Sequence, residues 1–265
     1  MFHQFSSRLT LSGTLMAKTA LRIGAGRAIT PIEPDLPVVK DSLGRPYIPG
    51  STFKGVLRSY VESIVRSANP DRRFACDTNN ENEWCITKEE IKKLKDATPD
   101  DKTLTDEILK RLCMVCQLFG SPWIASKVQT RDLYVLEETW FGQYQDRDGV
   151  AIDRDTETSS EGKLYDYQVV PAGVVFQFSA TVDNAESWQL GMLYVGLSAF
   201  ERQKLTVGGG ASRGLGLVEL KLNEQYYLFG EEELLKSIED EHYPGKPATN
   251  LREGWVKEFL KKLSR

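Results

Sequence analysis

At 265 residues the chain is long enough for one large domain, or a domain carrying insertions, around a sizeable core. Its 40% apolar share is ordinary for a globular protein, no run is long enough to span a membrane, and the opening MFHQFSSRLT lacks the charged-then-apolar pattern of a secretory leader. The cytoplasm is therefore the expected compartment. A net charge of −4 argues against a free, strongly basic nucleic-acid binder but leaves room for a local basic groove, because much of the acid is gathered at 77–107 and 231–241.

In chain order, residues 6–15 (SSRLTLSGTL) alternate apolar with small or polar residues and predict a first strand. The stretch 21–58 (LRIGAGRAITPIEPDLPVVKDSLGRPYIPGSTFKGVLR) follows, with a glycine pair (Gly24, Gly26), a proline-punctuated acidic loop (Glu33, Asp35) and a helix start. Pro49-Gly50 ends the extended segment, and Ser51 is placed to cap the next turn. Phe53, Val56, Leu57, Tyr60, Val61, Ile64 and Val65 recur at helical spacing, and the helix is expected to end at Asn69-Pro70. Lys54 and Arg58, four residues apart, share a face beside that stripe. Taken singly, the glycines predict a turn, Asp35 a solvated loop acid and the two cations a wet helix face.

A charged stretch from 71 to 111 has helical patterns at 88–95 and from about Leu104, and predicts an insertion with its own small structure. Residues 133–141 predict a strand with Leu133, Val135 and Trp140 inward, and 143–163 predict a long hairpin or loop. Residues 164–182 predict strands joined through Pro171-Ala172-Gly173 as hairpin partners. Ser187 is expected to cap a helix reaching about Gln203, a glycine loop follows, and 215–222 predict a closing strand. Helical patterns at 231–239 and 255–263 predict an appendage over 224–265. Strand, helix, strands, helix, strand fits an α+β, ferredoxin-like core.

Two separated motifs carry a family resemblance. The first joins Leu21-Arg22-Ile23-Gly24-Ala25-Gly26, Asp35-Leu36-Pro37-Val38-Val39-Lys40-Asp41 and Gly44-Arg45-Pro46-Tyr47-Ile48-Pro49-Gly50-Ser51-Thr52-Phe53-Lys54-Gly55-Val56-Leu57-Arg58. The second is Gly208-Gly209-Gly210-Ala211-Ser212-Arg213-Gly214-Leu215-Gly216. In this order they resemble the RAMP superfamily of CRISPR effector proteins, in particular backbone subunits of type III complexes, over roughly residues 6–222. The resemblance implies an RRM-like core, a subunit bound along a guide RNA beside other effector subunits, and a thumb-like element at 143–163 that kinks the guide–target duplex. It also implies target-RNA cleavage beside Asp35. Ala25 replaces the family's second loop glycine, and Ile32-Glu33-Pro34 lengthens the loop, which leaves Glu33 and Asp41 as substitutes for Asp35.

The four cysteines, Cys76, Cys85, Cys113 and Cys116, fall in one stretch. Cys113-Met114-Val115-Cys116 has the spacing that grips one tetrahedral metal, whereas eight residues separate the other pair, looser than in common zinc ribbons. A redox C-x-x-C normally opens a helix after a strand, and disulfides are uncommon in the cytoplasm. The expectation is a closed, structural Zn²⁺ site of four thiolates stapling 70–116, against buried free thiols.

The glycine loop follows a helix and precedes a strand, with no Lys-Ser/Thr pair behind it, so a dinucleotide or P-loop site is disfavoured. Its N–H groups, with Ser212 and Arg213, suit an RNA phosphate; Gly24, Gly26, Lys54, Arg58, Gly209 and Gly210 complete the expected RNA contacts. Only two histidines occur, His3 and His242, which disfavours a metal-free histidine ribonuclease. Cleavage would then rest on Asp35 with Mg²⁺ or another divalent ion while the neighbouring 2′-OH attacks. The alternatives are a scaffold subunit that binds RNA without cutting it, and a stand-alone metal-dependent nuclease.

Overall fold

The computed structural model describes residues 4–27, 34–98, 100–150 and 165–264. In chain order these form β1 (Ser7–Ala17), β2 (Tyr47–Ile48), α1 (Gly50–Ala68), α2 (Lys88–Ala97), α3 (Asp101–Arg111), α4 (Met114–Phe119), β3 (Val128–Thr130) and β4 (Leu133–Tyr134). There follow β5 (Gln145–Gly149), β6 (Tyr165–Val169), β7 (Val175–Asp183), α5 (Ser187–Glu201), β8 (Val218–Phe229), α6 (Gly230–Glu239), β9 (Lys246–Pro247) and α7 (Arg252–Leu263). The main sheet has five strands, all paired antiparallel, in the order β3-β7-β1-β8-β9. β1 lies at its centre because its alternating residues bury Leu9, Leu11 and Leu15 on one side. Against β8 its register shifts between Ser12 and Gly13, and a Cβ on Gly13 would fall 2.1 Å from the Lys221 carbonyl.

Helices α1 and α5 close over the sheet. The Phe53 ring of α1 stacks on Phe200 of α5 at 4.6 Å and tilts against Phe178 of β7 at 5.1 Å. Gly196 lets the two helices meet, since a Cβ there would lie 2.5 Å from Leu57 Cδ1. The helix starts at Gly50 without a side-chain cap from its own first turn, and Ser51 is exposed. Asp132 performs that role from the neighbouring loop, its Oδ1 accepting the Gly50 N–H at 2.8 Å. Packing over the helix end thus overrode the local serine.

The predicted strand at 133–141 is confined to β4, which pairs with β2; residues 137–139 form a 3-10 turn held by the Thr139 hydroxyl against Val175. The predicted hairpin through Pro171 does not form. β6 pairs instead with β5, from Gln145↔Val169 to Gly149↔Tyr165, and β7 goes to β1 and β3. β5 reads as loop in the sequence because QDRDG offers no apolar alternation. Residues 151–163 of the expected thumb lie outside the described residues, as do Glu33 and His3.

The closing strand runs past Leu222 to Phe229, and Glu186, not Ser187, caps α5. The C-terminal stretch, expected as an appendage, is laid into the fold. Trp255, Phe259 and Leu263 of α7 are buried, and a Cβ on Gly191 of α5 would lie 2.0 Å from the Trp255 carbonyl.

Candidate functional site

The two sequence motifs meet in space. After β1 the chain runs alongside Val170 at Leu21, then doubles back: Ala25 N–H donates to the Pro37 carbonyl at 3.0 Å and Val39 N–H to Ile23 at 2.9 Å. The glycine loop docks on this segment from the other side. Gly209 N–H donates to the Arg22 carbonyl at 2.9 Å and Gly216 N–H to Ala20 at 2.8 Å. Gly208 has φ +85°, and a Cβ there would fall 2.2 Å from the Arg22 carbonyl oxygen. Only glycine permits both the left-handed backbone and that approach.

Cations and aromatic rings surround this junction. The Arg22 guanidinium lies against Gly24 and Gly209 and 6.0 Å from the Tyr167 ring centre; its buried Nε has no hydrogen-bond partner among the described residues. Arg213 Nη1 donates to the Tyr165 hydroxyl at 2.6 Å. Gly24, Gly26, Gly209, Ser212 and Arg213 are exposed here, with Gly210 half-buried. Next to them opens a cavity of about 480 Å³ lined by Arg27, Asp35, Leu36 and Tyr165.

Asp35 is exposed and clamped to the start of β6. Its N–H donates to Asp166 Oδ1 at 2.7 Å, and its Oδ2 accepts the Asp166 N–H at 3.3 Å. Among the described residues no third carboxylate, thiol or imidazole joins the pair to make a ligand set. Asp41 is taken up elsewhere: its carboxylate accepts the Leu43 and Arg45 N–H groups at 2.9 Å each and pairs with Arg45 Nε. It fastens a turn.

Sequence reasoning missed Arg22, Arg27, Tyr165 and Asp166. Arg22 and Arg27 flank the Gly24–Gly26 pair in the first stretch, where nothing local separates them from other surface cations; Tyr165 and Asp166 reach the site by strand geometry that no local pattern encodes.

The four cysteines converge separately. Cys113 caps α4, accepting the Cys116 N–H on its sulfur at 3.4 Å, and backbone bonds from Met114 to Arg73 and Val115 to Phe74 bring the irregular segment that carries Cys76 alongside. All four sulfurs lie within 4.8 Å of one another, with Cys76–Cys116 at 3.6 Å and Cys113–Cys76 at 3.7 Å. Ligands about 2.3 Å from a tetrahedral Zn²⁺ stand about 3.8 Å apart, so this thiol set fits such an ion. Among the described residues it is the only such group of three or more Cys, His, Asp or Glu. The Cys116 contact holds Cys113 below its ordinary pKa, and the same contact pushes Cys116 up.

Lys54 and Arg58 are placed at this cluster, lining a cavity of about 430 Å³ with Cys76, Cys85, Cys116, Trp84 and Trp123. Burial, then the Arg58 charge, lowers the Lys54 pKa, and among the described residues Lys54 has no carboxylate partner. Arg58, expected to face phosphate, is turned inward onto Glu62, the Gly120 carbonyl and Cys116 Sγ. The i,i+4 relation to Lys54 suggested a common solvated face; Arg58 has the same relation to Glu62, and that pairing prevailed.

A family model described as the RAMP superfamily matches residues 14–219. CRISPR system Cms protein Csm5 of Mycobacterium tuberculosis is 27% identical over 192 residues, covering 65% of this chain and 49% of its own length. The chain thus spans about half the length of that relative. CRISPR system Cms endoribonuclease Csm3 of Methanothermobacter thermautotrophicus is 24% identical over 245 residues, 82% of this chain and 85% of its own. The Mycobacterium tuberculosis protein of the same name is 37% identical over 86 residues, 27% of this chain and 36% of its own. No described helix is long and apolar enough to cross a membrane.

Proposed function

This chain belongs to the RAMP superfamily, and from that footing we propose that it is an RNA-binding subunit of a type III CRISPR ribonucleoprotein that cleaves guide-complementary target RNA beside Asp35. The observation that carries the proposal is the docking of the Gly208–Gly210 loop onto Arg22. It sets exposed glycine backbone and Arg22, with Arg213 bonded to the Tyr165 hydroxyl, beside an open cavity lined by Arg27, Asp35, Leu36 and Tyr165. Backbone N–H groups and arginines recognise phosphates without reading sequence, as a subunit that must accept any guide requires.

We read the five-stranded sheet with α1 and α5 as an RRM-like core in a single domain over 1–265. Residues 70–116 are its zinc-stapled insertion, 143–163 a thumb-like hairpin or loop that begins with β5, and 224–265 a C-terminal extension. In the reaction Asp35 orients the 2′-OH of the target nucleotide for attack on the adjacent phosphate, so the P–O5′ bond breaks and a 2′,3′-cyclic phosphate and a 5′-OH end form. Asp166 holds the Asp35 loop through the reciprocal backbone bonds, and Arg27 and Arg213 bear on the flanking phosphates. A divalent ion, when bound, would stabilise charge on the phosphorane; with one or two protein carboxylates it would draw its remaining ligands from RNA and water. The Zn²⁺ held by Cys76, Cys85, Cys113 and Cys116 is structural, because four thiolates leave no open position.

A scaffold role without cleavage is the second reading. Its support is that Asp35 and Asp166 are engaged with one another's backbone N–H groups, together with the similarity to the relative named Csm5. Both readings predict that the chain, expressed with its neighbouring effector subunits and a guide locus, co-purifies with RNA of uniform length. Recovery without RNA, or with RNA of random length, would refute both.

A further inference from the structure

Four thiolates around a divalent cation carry a net charge of about −2. Here Cys76, Cys113 and Cys116 are only 3%, 1% and 2% exposed. Such a charge is tolerable in the interior only where N–H donors and cations face the sulfurs.

Helix α1 supplies them. Arg58 Nη2 donates to Cys116 Sγ at 3.3 Å, its Nη1 to the Gly120 carbonyl at 3.1 Å, and its Nε to Glu62 Oε1 at 2.8 Å. Glu62 is 6% exposed, and its other oxygen accepts from Arg66 Nη2 at 2.9 Å. One buried carboxylate between two guanidinium groups leaves a net positive charge beside the sulfurs. A planar fork with a partner at each of its three nitrogens holds one orientation, which an ammonium group would not.

Resting on the four-thiolate reading above, we propose that Arg58 is a positioning residue of the metal centre: its guanidinium, aimed by Glu62, donates to Cys116 Sγ and offsets the thiolate charge, so that α1 and the metal site lock one another. The N–H bond withdraws electron density from the Cys116 sulfur and fixes the direction in which that ligand points. Lys54 lines the same cavity without touching a sulfur and has no part in this lock.

The test uses the full chain loaded with Co²⁺, whose thiolate-to-metal charge-transfer band reports electron density on sulfur, and follows metal transfer to a chromogenic chelator. Arg58→Ala should release metal about 10- to 100-fold faster and move the band to longer wavelength. Arg58→Lys should fall between it and wild type, keeping the charge and losing the fork. Lys54→Ala removes an equal charge from the same cavity and should match wild type in both readouts. If Arg58→Ala does not accumulate as folded protein, Arg58→Lys decides. Wild-type release with an unmoved band in the deciding variant overturns the proposal, as does a Lys54→Ala effect equal to that of Arg58→Ala. A wild-type chain that shows no thiolate band with Co²⁺ would remove the four-thiolate centre itself, a separate failure recognised before any variant is made.

Discussion

At the cysteine cluster the polar groups face inward and are matched: sulfurs lie within 4.8 Å of one another, and Arg58 and Glu62 are satisfied around them. At the Asp35 cavity the groups face outward and are partly unmatched. Asp35 and the glycine loop are exposed, and Arg22 keeps a buried Nε without a partner among the described residues. A closed set of ligands suits a resident ion that is never exchanged during work. An open, cation-rimmed cavity suits a polyanion that arrives and leaves. The two regions share one element of the first motif, since α1 supplies Lys54 and Arg58 to the cysteine cavity, while the glycine loop belongs to the open region alone.

The comparison can be broken at its closed end first. Cys113→Ser removes one proposed ligand while the serine hydroxyl can still cap α4, and metal content should fall from about one ion per chain to near zero, with 70–116 becoming the first site of limited proteolysis. Chelation of the wild type should give the same cleavage pattern; an unchanged pattern in both would mean that the thiols are ordinary core. Because the ligands bind as thiolates, metal retention should weaken as pH falls.

Next in size is Gly208→Val, which places a Cβ against the Arg22 carbonyl at positive φ. It should lower stability by about 1–3 kcal/mol, seen by thermal melting, and abolish RNA binding while leaving metal content intact. Loss of metal in this variant would show that the two regions are not independent. Arg213→Ala is milder. RNA affinity should drop several-fold regardless of sequence, and the log–log salt slope should flatten by about one unit, measured by filter binding across salt concentrations.

The smallest effect belongs to Asp41, the acid that only fastens a turn. The Arg45 N–H holds its carboxyl below the ordinary value of 3.8. A depressed folded-state pKa stabilises above the unfolded value and is lost as pH falls through the folded one. Asp41→Asn should therefore flatten the acid side of the melting-temperature profile below about pH 4 and leave RNA handling unchanged. A loss of cleavage in this variant would shift the catalytic role from Asp35.

The closed region was largely legible in the sequence, because cysteine is chemically specific and all four lie between 76 and 116. So was the buried stripe of α1, where Phe53, Leu57, Val61 and Val65 follow the helical period into the core. The open region was legible only in part. Asp35 and the glycine loop stood out as motifs, but their meeting depends on β1 and β8 running side by side, which brings residues about 20 and about 210 together. Asp166 and Tyr165 were hidden because β6 pairs with the polar β5 and not with β7. Ser51 and Arg58 misled for one reason: local spacing proposes a partner, and tertiary neighbours such as Asp132 and Glu62 outbid it.

Cleavage of a complementary target RNA by the assembled, guide-loaded complex carrying Asp35→Ala tests the account most directly. Guide content and target affinity should match wild type, with affinity slightly raised because a carboxylate facing phosphates has gone. Cleavage should fall by at least about a hundredfold, the scale expected for a group that moves or orients a proton in the transition state. A mutant complex that assembles, binds target and cuts at the wild-type rate would contradict it.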